Sequence, residues 1–143
     1  MSSKNPTVNR WLTDKAMDRI DHALGRPIWP LRETYRNHYA TDATGALAID
    51  LAYSAHWESL GQSGSMAFFA VTVTGRKALA DYLDSMDATQ RHRAYLVTYE
   101  GHSRIVPAKS RANARYSEFL TIRDCFSELT FGEFIRASSV RQA

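Results

Sequence analysis

The sequence predicts an α+β fold, with a helical module to about residue 88 and a β-hairpin–helix module over 89–143. Two observations carry most of this. Met66–Val71 is a short apolar, aromatic run of the length of a buried strand, and it leads straight into an amphipathic helix. Further on, the period changes to two: Tyr95, Val97 and Tyr99 alternate with Leu96 and Thr98, as in a half-buried strand.

Composition bounds the class. A chain of 143 residues, 44% apolar and 23% charged, fits one globular domain or two small modules. Neither module is large enough to be very stable alone, so one shared core is expected. No apolar run approaches the ~18 residues of a membrane span. The opening MSSKNPTVNRW has no apolar stretch of the secretory kind. The single cysteine, Cys125, permits no internal disulfide, which suits a reducing cytoplasm, and its place beside Phe126 suits a small buried hydrophobe.

The elements follow in order. Residues 1–10 are polar, contain Pro6 and are expected to be loosely ordered. Thr13 is placed as the first N-cap, with Leu12 and Met17 as a hydrophobic staple. Met17, Ile20 and Leu24 form that helix's buried stripe, beside Ala16 and Ala23, and Gly25 and Pro27 end it. Arg32–Tyr39 is a short helix or an irregular segment. A longer helix is predicted from Ala46 to Leu60, capped by Thr44 or Asp42. Ile49, Tyr53, Trp57 and Leu60 follow helical spacing within it. Gln62–Ser65 is a turn before the strand, and Thr72 caps the next helix, whose inner face carries Leu79, Tyr82, Leu83 and Met86.

In the second module, Glu100–Ser103 turns the chain back through Arg104–Val106, and Pro107 marks an edge or an end. Ser110 caps a helix running to about Asp124 or Phe126 that buries Ala112, Tyr116, Phe119 and Leu120. Thr130 and Glu133 have capping-box spacing, and residues 138–141 form a last edge strand.

Three resemblances rest on specific words of the sequence. The run Phe69-Ala70-Val71-Thr72-Val73-Thr74-Gly75-Arg76-Lys77-Ala78-Leu79 resembles the strand-to-helix junction of MarR-type winged-helix regulators. That resemblance implies a reduced winged helix in which Gly75 lets the helix start pack closely on the strand. His22-Ala23-Leu24-Gly25, Tyr35-Arg36-Asn37-His38-Tyr39 and the Val71-Thr72…Gly75-Arg76…Ala78-Leu79 pattern resemble a group of small phage- and prophage-encoded proteins. The second module is similar to another phage-encoded kind of segment through Ala108, Ser110, Ala114-Arg115-Tyr116, Arg123-Asp124 and Phe131-Gly132-Glu133-Phe134. These resemblances imply a mobile-element origin and bring no catalytic residues.

The residues themselves offer little chemistry. The histidines His22, His38, His56, His92 and His102 lack metal-ligand spacing, and no Cys-x-x-Cys occurs. Gly61 and Gly64 lack the Lys-Ser/Thr ending of a phosphate loop. No catalytic residue, metal or cofactor is expected, and the protein is read as a non-enzyme. The charge is uneven instead. Residues 91–143 carry nine Lys and Arg against five Asp and Glu, whereas residues 1–90 are close to neutral. The candidate binding residues are therefore Arg104, Lys109, Arg111, Arg115, Arg136 and Arg141, which form either a contact face or a solvated basic surface. Tyr35, Arg36 and Asn37 join them, because aromatic, cationic and amide groups together can stack on bases and contact phosphate. Against that reading, Tyr35 and Tyr39 can pin the segment to the core.

The expected function is that of a non-enzymatic phage or prophage accessory protein in the host cytoplasm. It would bind a host protein or nucleoprotein complex that handles nucleic acid, as an anti-CRISPR-type inhibitor does. The alternative is a winged-helix transcriptional regulator that binds DNA as a dimer through Arg36, Asn37, Arg76 or Lys77. A virion or morphogenesis component is a third expectation. RNA is a further possible ligand, and no membrane partner is expected.

Overall fold

The computed structural model describes residues 5–126 and 128–143. The fold is mixed α+β, with two three-stranded antiparallel sheets, and the chain divides into two compact units, Met1–Ser85 and Met86–Ala143. Among the described residues no helix is long and apolar enough to cross a membrane.

The first unit runs α1 (Lys15–Ala23), β1 (Tyr39–Asp42), α2 (Ala46–Tyr53), β2 (Trp57–Ser63), β3 (Met66–Val71) and α3 (Val73–Asp84). Its sheet has the order β1–β3–β2. The central strand β3 buries Ala67, Phe69, Ala70 and Val71, which accounts for its nearly continuous apolar sequence. Helices α1 and α3 pack on each other and on β3, while α2 packs on β2 and β1. Thr72 caps α3 by accepting the Gly75 N–H at 3.1 Å, and its hydroxyl donates to the Ala55 carbonyl at 2.7 Å. Gly75 has no room for a side chain: a Cβ there would lie 2.5 Å from the His56 carbonyl oxygen and 2.7 Å from Val71 Cγ1.

Several expectations for this unit are corrected. The N-cap of α1 is Asp14, whose carboxylate accepts the Met17 N–H at 3.0 Å, so Thr13 lies outside the helix and the proposed staple loses its register. Ile20, Ala23 and Leu24 are buried, but Ala16 is exposed. The helix predicted over 46–60 stops at Tyr53, and Trp57–Ser63 is a strand that takes in part of the predicted turn. The spacing of Ile49, Tyr53, Trp57 and Leu60 fits a helix by coincidence. Strand β3 needs a partner on each edge, and residues 57–63 supply one, with Trp57 opposite Val71 and a bulge between Ser59 and Gly61. Only Trp57 is buried in β2, so no alternation betrays it. Gly45 is the N-cap of α2, and Asp42 instead accepts the Thr44 N–H and hydroxyl in a turn.

The predicted loose N-terminus is also corrected over residues 5–10, whereas residues 1–4 lie outside the described set. Val8 is buried, Thr7 bridges Pro27, and Asn5 exchanges hydrogen bonds with the Trp29 backbone. Arg10 enters the interior and binds the fully buried Asp21 through Nε at 2.9 Å and Nη2 at 2.5 Å, while Nη2 also donates to the Pro27 carbonyl. Arg26 reaches the same carboxylate at 3.1 Å and Asp18 at 2.7 Å. Burial alone would raise the Asp18 pKa, but Arg26 and the Leu12 N–H outweigh it and hold the carboxyl below its usual value.

The second unit runs β4 (Arg93–Tyr99), β5 (His102–Ala108), α4 (Arg111–Ile122), α5 (Phe131–Ala137) and β6 (Ser139–Gln142), with sheet order β5–β4–β6. The two-residue hairpin loop places both Glu100 (φ 54°) and Gly101 (φ 76°) in the left-handed region, as this tight turn requires. Pro107 sits on β5, at the edge of the sheet, where its missing N–H leaves no ladder bond unmade. The core of this unit joins Tyr95, Val97, Val106 and Ala108 of the sheet to Ala114 and Phe119 of α4 and Phe134 of α5. The Thr130–Glu133 capping box opens α5. Helix α4 is rotated from expectation. It buries Ala114, Glu118 and Phe119, whereas Tyr116 and Leu120 are exposed, because the stripe includes a charged residue. It also ends at Ile122, which leaves Cys125 in the following turn and exposed rather than buried.

Candidate functional site

Two surfaces concentrate the residues that the sequence singles out. The first, in the N-terminal unit, is a shallow cleft of about 280 Å³ between the segment before α1, the end of α1 and the loop that precedes β1. Gly25, in the left-handed region at φ 83°, forms part of it, and the Tyr35 ring lies directly against Gly25. A Cβ on residue 25 would come within 2.2 Å of the Tyr35 ring. Glycine is thus needed there for both conformation and clearance. Thr7 and Asn9 line one side, held in place through the Arg10–Asp21 pair, and His22 and Arg36 line others.

Tyr35 is 72% exposed although it touches Gly25. Tyr39, its expected packing partner, instead lies in β1 with its ring 5.6 Å from Trp57. Arg36 is half-buried and donates to the His38 carbonyl at 3.0 Å, with no carboxylate paired to it among the described residues. Trp11, 78% exposed, stacks at 4.3 Å on the guanidinium of Arg26, which lines the cleft. Asn37 does not face a ligand. Its amide accepts the Val71 N–H at 2.7 Å and donates to the Val71 carbonyl at 3.0 Å, serving the end of β3 as a partner strand would. Arg76 is equally committed, donating to the carbonyls of Pro30 and Arg32 and to the Thr34 hydroxyl.

The second surface is the cationic part of the C-terminal unit. Its expected members do not share one face. Arg104 pairs with Val97 on the helix side of the sheet and forms an ion pair with Glu118 at 3.0 Å. Arg141 is opposite Leu96, on the other side. Arg115 is half-buried, with Nη2 on the Ser138 carbonyl at 3.3 Å and a buried Nε that finds no partner. Arg136 is exposed on α5 close to Glu133. What the fold does bring together is a group that the sequence reading missed in part. Strand β5 ends where β4 begins, with Arg93 opposite Ala108, and Lys109 and Arg111 follow immediately. No carboxylate is paired to any of these three among the described residues, and Lys109 reaches only Gln90 at 3.4 Å. Arg93 could have been found from hairpin register, because counting back from the turn sets it beside the end of β5.

Among the described residues, Glu118 is the one buried carboxylate of this unit. Burial pushes its pKa up, and the Arg104 guanidinium only partly offsets that. Among the described residues no group of three His, Cys, Asp or Glu is placed to hold a metal ion. No family model matches the chain, and no curated protein or solved structure matches it either.

Proposed function

We propose that the protein is a non-enzymatic binding protein of the phage or prophage accessory kind. Its partner is a host protein complex that handles nucleic acid, and it acts as an anti-CRISPR-type inhibitor acts, by occupying that complex. The observation that carries the reading is the group Arg93, Lys109 and Arg111, three cations that strand register sets at one end of the second unit, none of them paired to a carboxylate among the described residues. Complexes that handle nucleic acid present acidic and phosphate-bearing surfaces, and clustered cations steer association with such surfaces. The phage-like words of the sequence support the source of the protein, and the uneven charge supports the location of the contact.

Duplex reading by a winged helix has less support. A helix-turn-helix places a second helix in the major groove. Here the segment between β1 and β2 holds one helix, whose only formal charge is Asp50, and two of the four residues assigned to DNA contact, Asn37 and Arg76, are engaged within the fold.

Affinity capture from host lysate, with and without nuclease, tests the proposal. A specific host protein complex retained after nuclease digestion is the expected outcome. Recovery of nucleic acid alone, lost as salt rises, would replace it with direct nucleic-acid binding.

A further inference from the structure

We infer that the cleft of the first unit binds a nucleotide, with the base on Tyr35 and the phosphate between Arg36 and His22. This site lies in the other unit from the basic group and takes a different ligand, so it stands or falls apart from the function proposed above.

Three features point to such a ligand. The first is the aromatic surface. Tyr35 lines the cleft, held by Gly25, and Trp11 lies against the cleft-lining Arg26; both are largely exposed. Flat rings positioned and left open are stacking platforms for bases. The second is charge. Arg36 is half-buried next to Tyr35, and among the described residues its guanidinium donates only to a nearby backbone carbonyl, that of His38. Most of its donor fork is left for an anion, and its planar geometry suits phosphate. Exposed His22 lines the same cleft. Arg26 cannot serve in this way, because Asp18 and Asp21 neutralise it. The third is size. A volume of about 280 Å³ lies just below the range of drug-sized ligand pockets, roughly 300–1,000 Å³, and limits the occupant to about one nucleotide unit. Thr7 and Asn9 add hydroxyl and amide groups on the facing wall, where a sugar or base edge would lie.

The same chemistry is offered by a free nucleotide and by one unit of a single strand. The test uses the full-length protein. Binding of AMP and of inorganic phosphate is measured by calorimetry, and binding of fluorescein-labelled oligo-dT and oligo-U by anisotropy. Saturable AMP binding, weaker or absent for phosphate alone, is expected. Oligonucleotides binding more tightly than AMP would identify a strand as the source, and the reverse order a free nucleotide.

Tyr35→Ala and Arg36→Ala should each weaken binding, the tyrosine by roughly five- to hundredfold. Tyr35→Phe should keep it within about twofold, since the stacking face is unchanged. Tyr35→Leu keeps Gly25 covered without an aromatic ring, and should bind as poorly as Tyr35→Ala while melting as the wild type does. Failure of the wild type to bind AMP or either oligonucleotide would overturn the assignment. So would binding that survives both Tyr35→Leu and Arg36→Ala but is lost in Lys109→Ala/Arg111→Ala. Equal affinity for phosphate and AMP would overturn the role given to Tyr35.

Discussion

Replacing Asp21 with Asn should be among the most destabilising conservative changes in the first unit. Asp21 has no exposed surface, and its two oxygens take Arg10 Nε at 2.9 Å, Arg10 Nη2 at 2.5 Å and Arg26 Nη1 at 3.1 Å. The amide removes the negative charge and turns an N–H₂ toward an arginine donor. Arg10, its side chain 8% exposed, is then a buried cation without a counterion. Breaking a buried pair from one side costs about 3–5 kcal/mol. Against a total of about 5–15 kcal/mol that is a large share, and at ~4–8 °C per kcal/mol the midpoint should fall by well over 10 °C. Tryptophan fluorescence reports the transition of this unit selectively, because Trp11, Trp29 and Trp57 all lie in it. The double change Arg10→Met/Asp21→Leu removes both charges together and should be less destabilising than Asp21→Asn alone, since no unpaired charge remains. A single variant within about 0.5 kcal/mol of wild type, the range of ordinary surface changes, would refute the assignment of a buried ion pair. A double variant no more stable than the single one would refute the reasoning about the orphaned arginine.

Other outcomes follow from the same structure. Gly75→Ala should lose about 1–2 kcal/mol, the overpacking against the His56 carbonyl exceeding the gain in helix propensity, and a fluorescence melt measures it. Burial holds the folded-state pKa of Glu118 above the ordinary glutamate value, so its contribution to stability is present below that ordinary value and is lost as pH rises through the folded pKa. Glu118→Gln should therefore stabilise the protein at neutral pH, make little difference at pH below 4.5, and flatten the pH dependence of urea midpoints. Lys109→Ala/Arg111→Ala should leave the melting curve in place and weaken partner binding by roughly tenfold, because both side chains are exposed and make no ion pair among the described residues.

What could be read from the sequence is what is determined locally. Thr72, Ser110 and Thr130 cap helices with side chains that reach only three residues ahead, so their signals survive any tertiary arrangement. Strand β4 was legible because its inner face alternates with its outer one. Strand β2 was not, because it is an edge strand with one buried residue, and the need of β3 for a partner is a property of the sheet and not of residues 57–63. Arg10 was invisible for a similar reason: a polar residue in a polar stretch is buried only because Asp21, on a helix further along, presents a carboxylate to it. At the candidate sites, the tyrosine–arginine word was legible, but its division of labour was not. Asn37 supports β3, Tyr35 and Arg36 face the cleft, and only the fold separates these roles. Likewise, composition located the cations in the last third, while hairpin register decided that Arg93 joins Lys109 and Arg111 and that Arg141 does not.

The most direct test of the central claim is quantitative capture from nuclease-treated host lysate, with wild-type protein and Lys109→Ala/Arg111→Ala compared at matched concentration. A nucleic-acid-handling protein complex retained by the wild type, and depleted by roughly tenfold on the variant while both proteins melt alike, is the predicted result. Equal retention by the two proteins would contradict the claim that this cationic group is the contact surface.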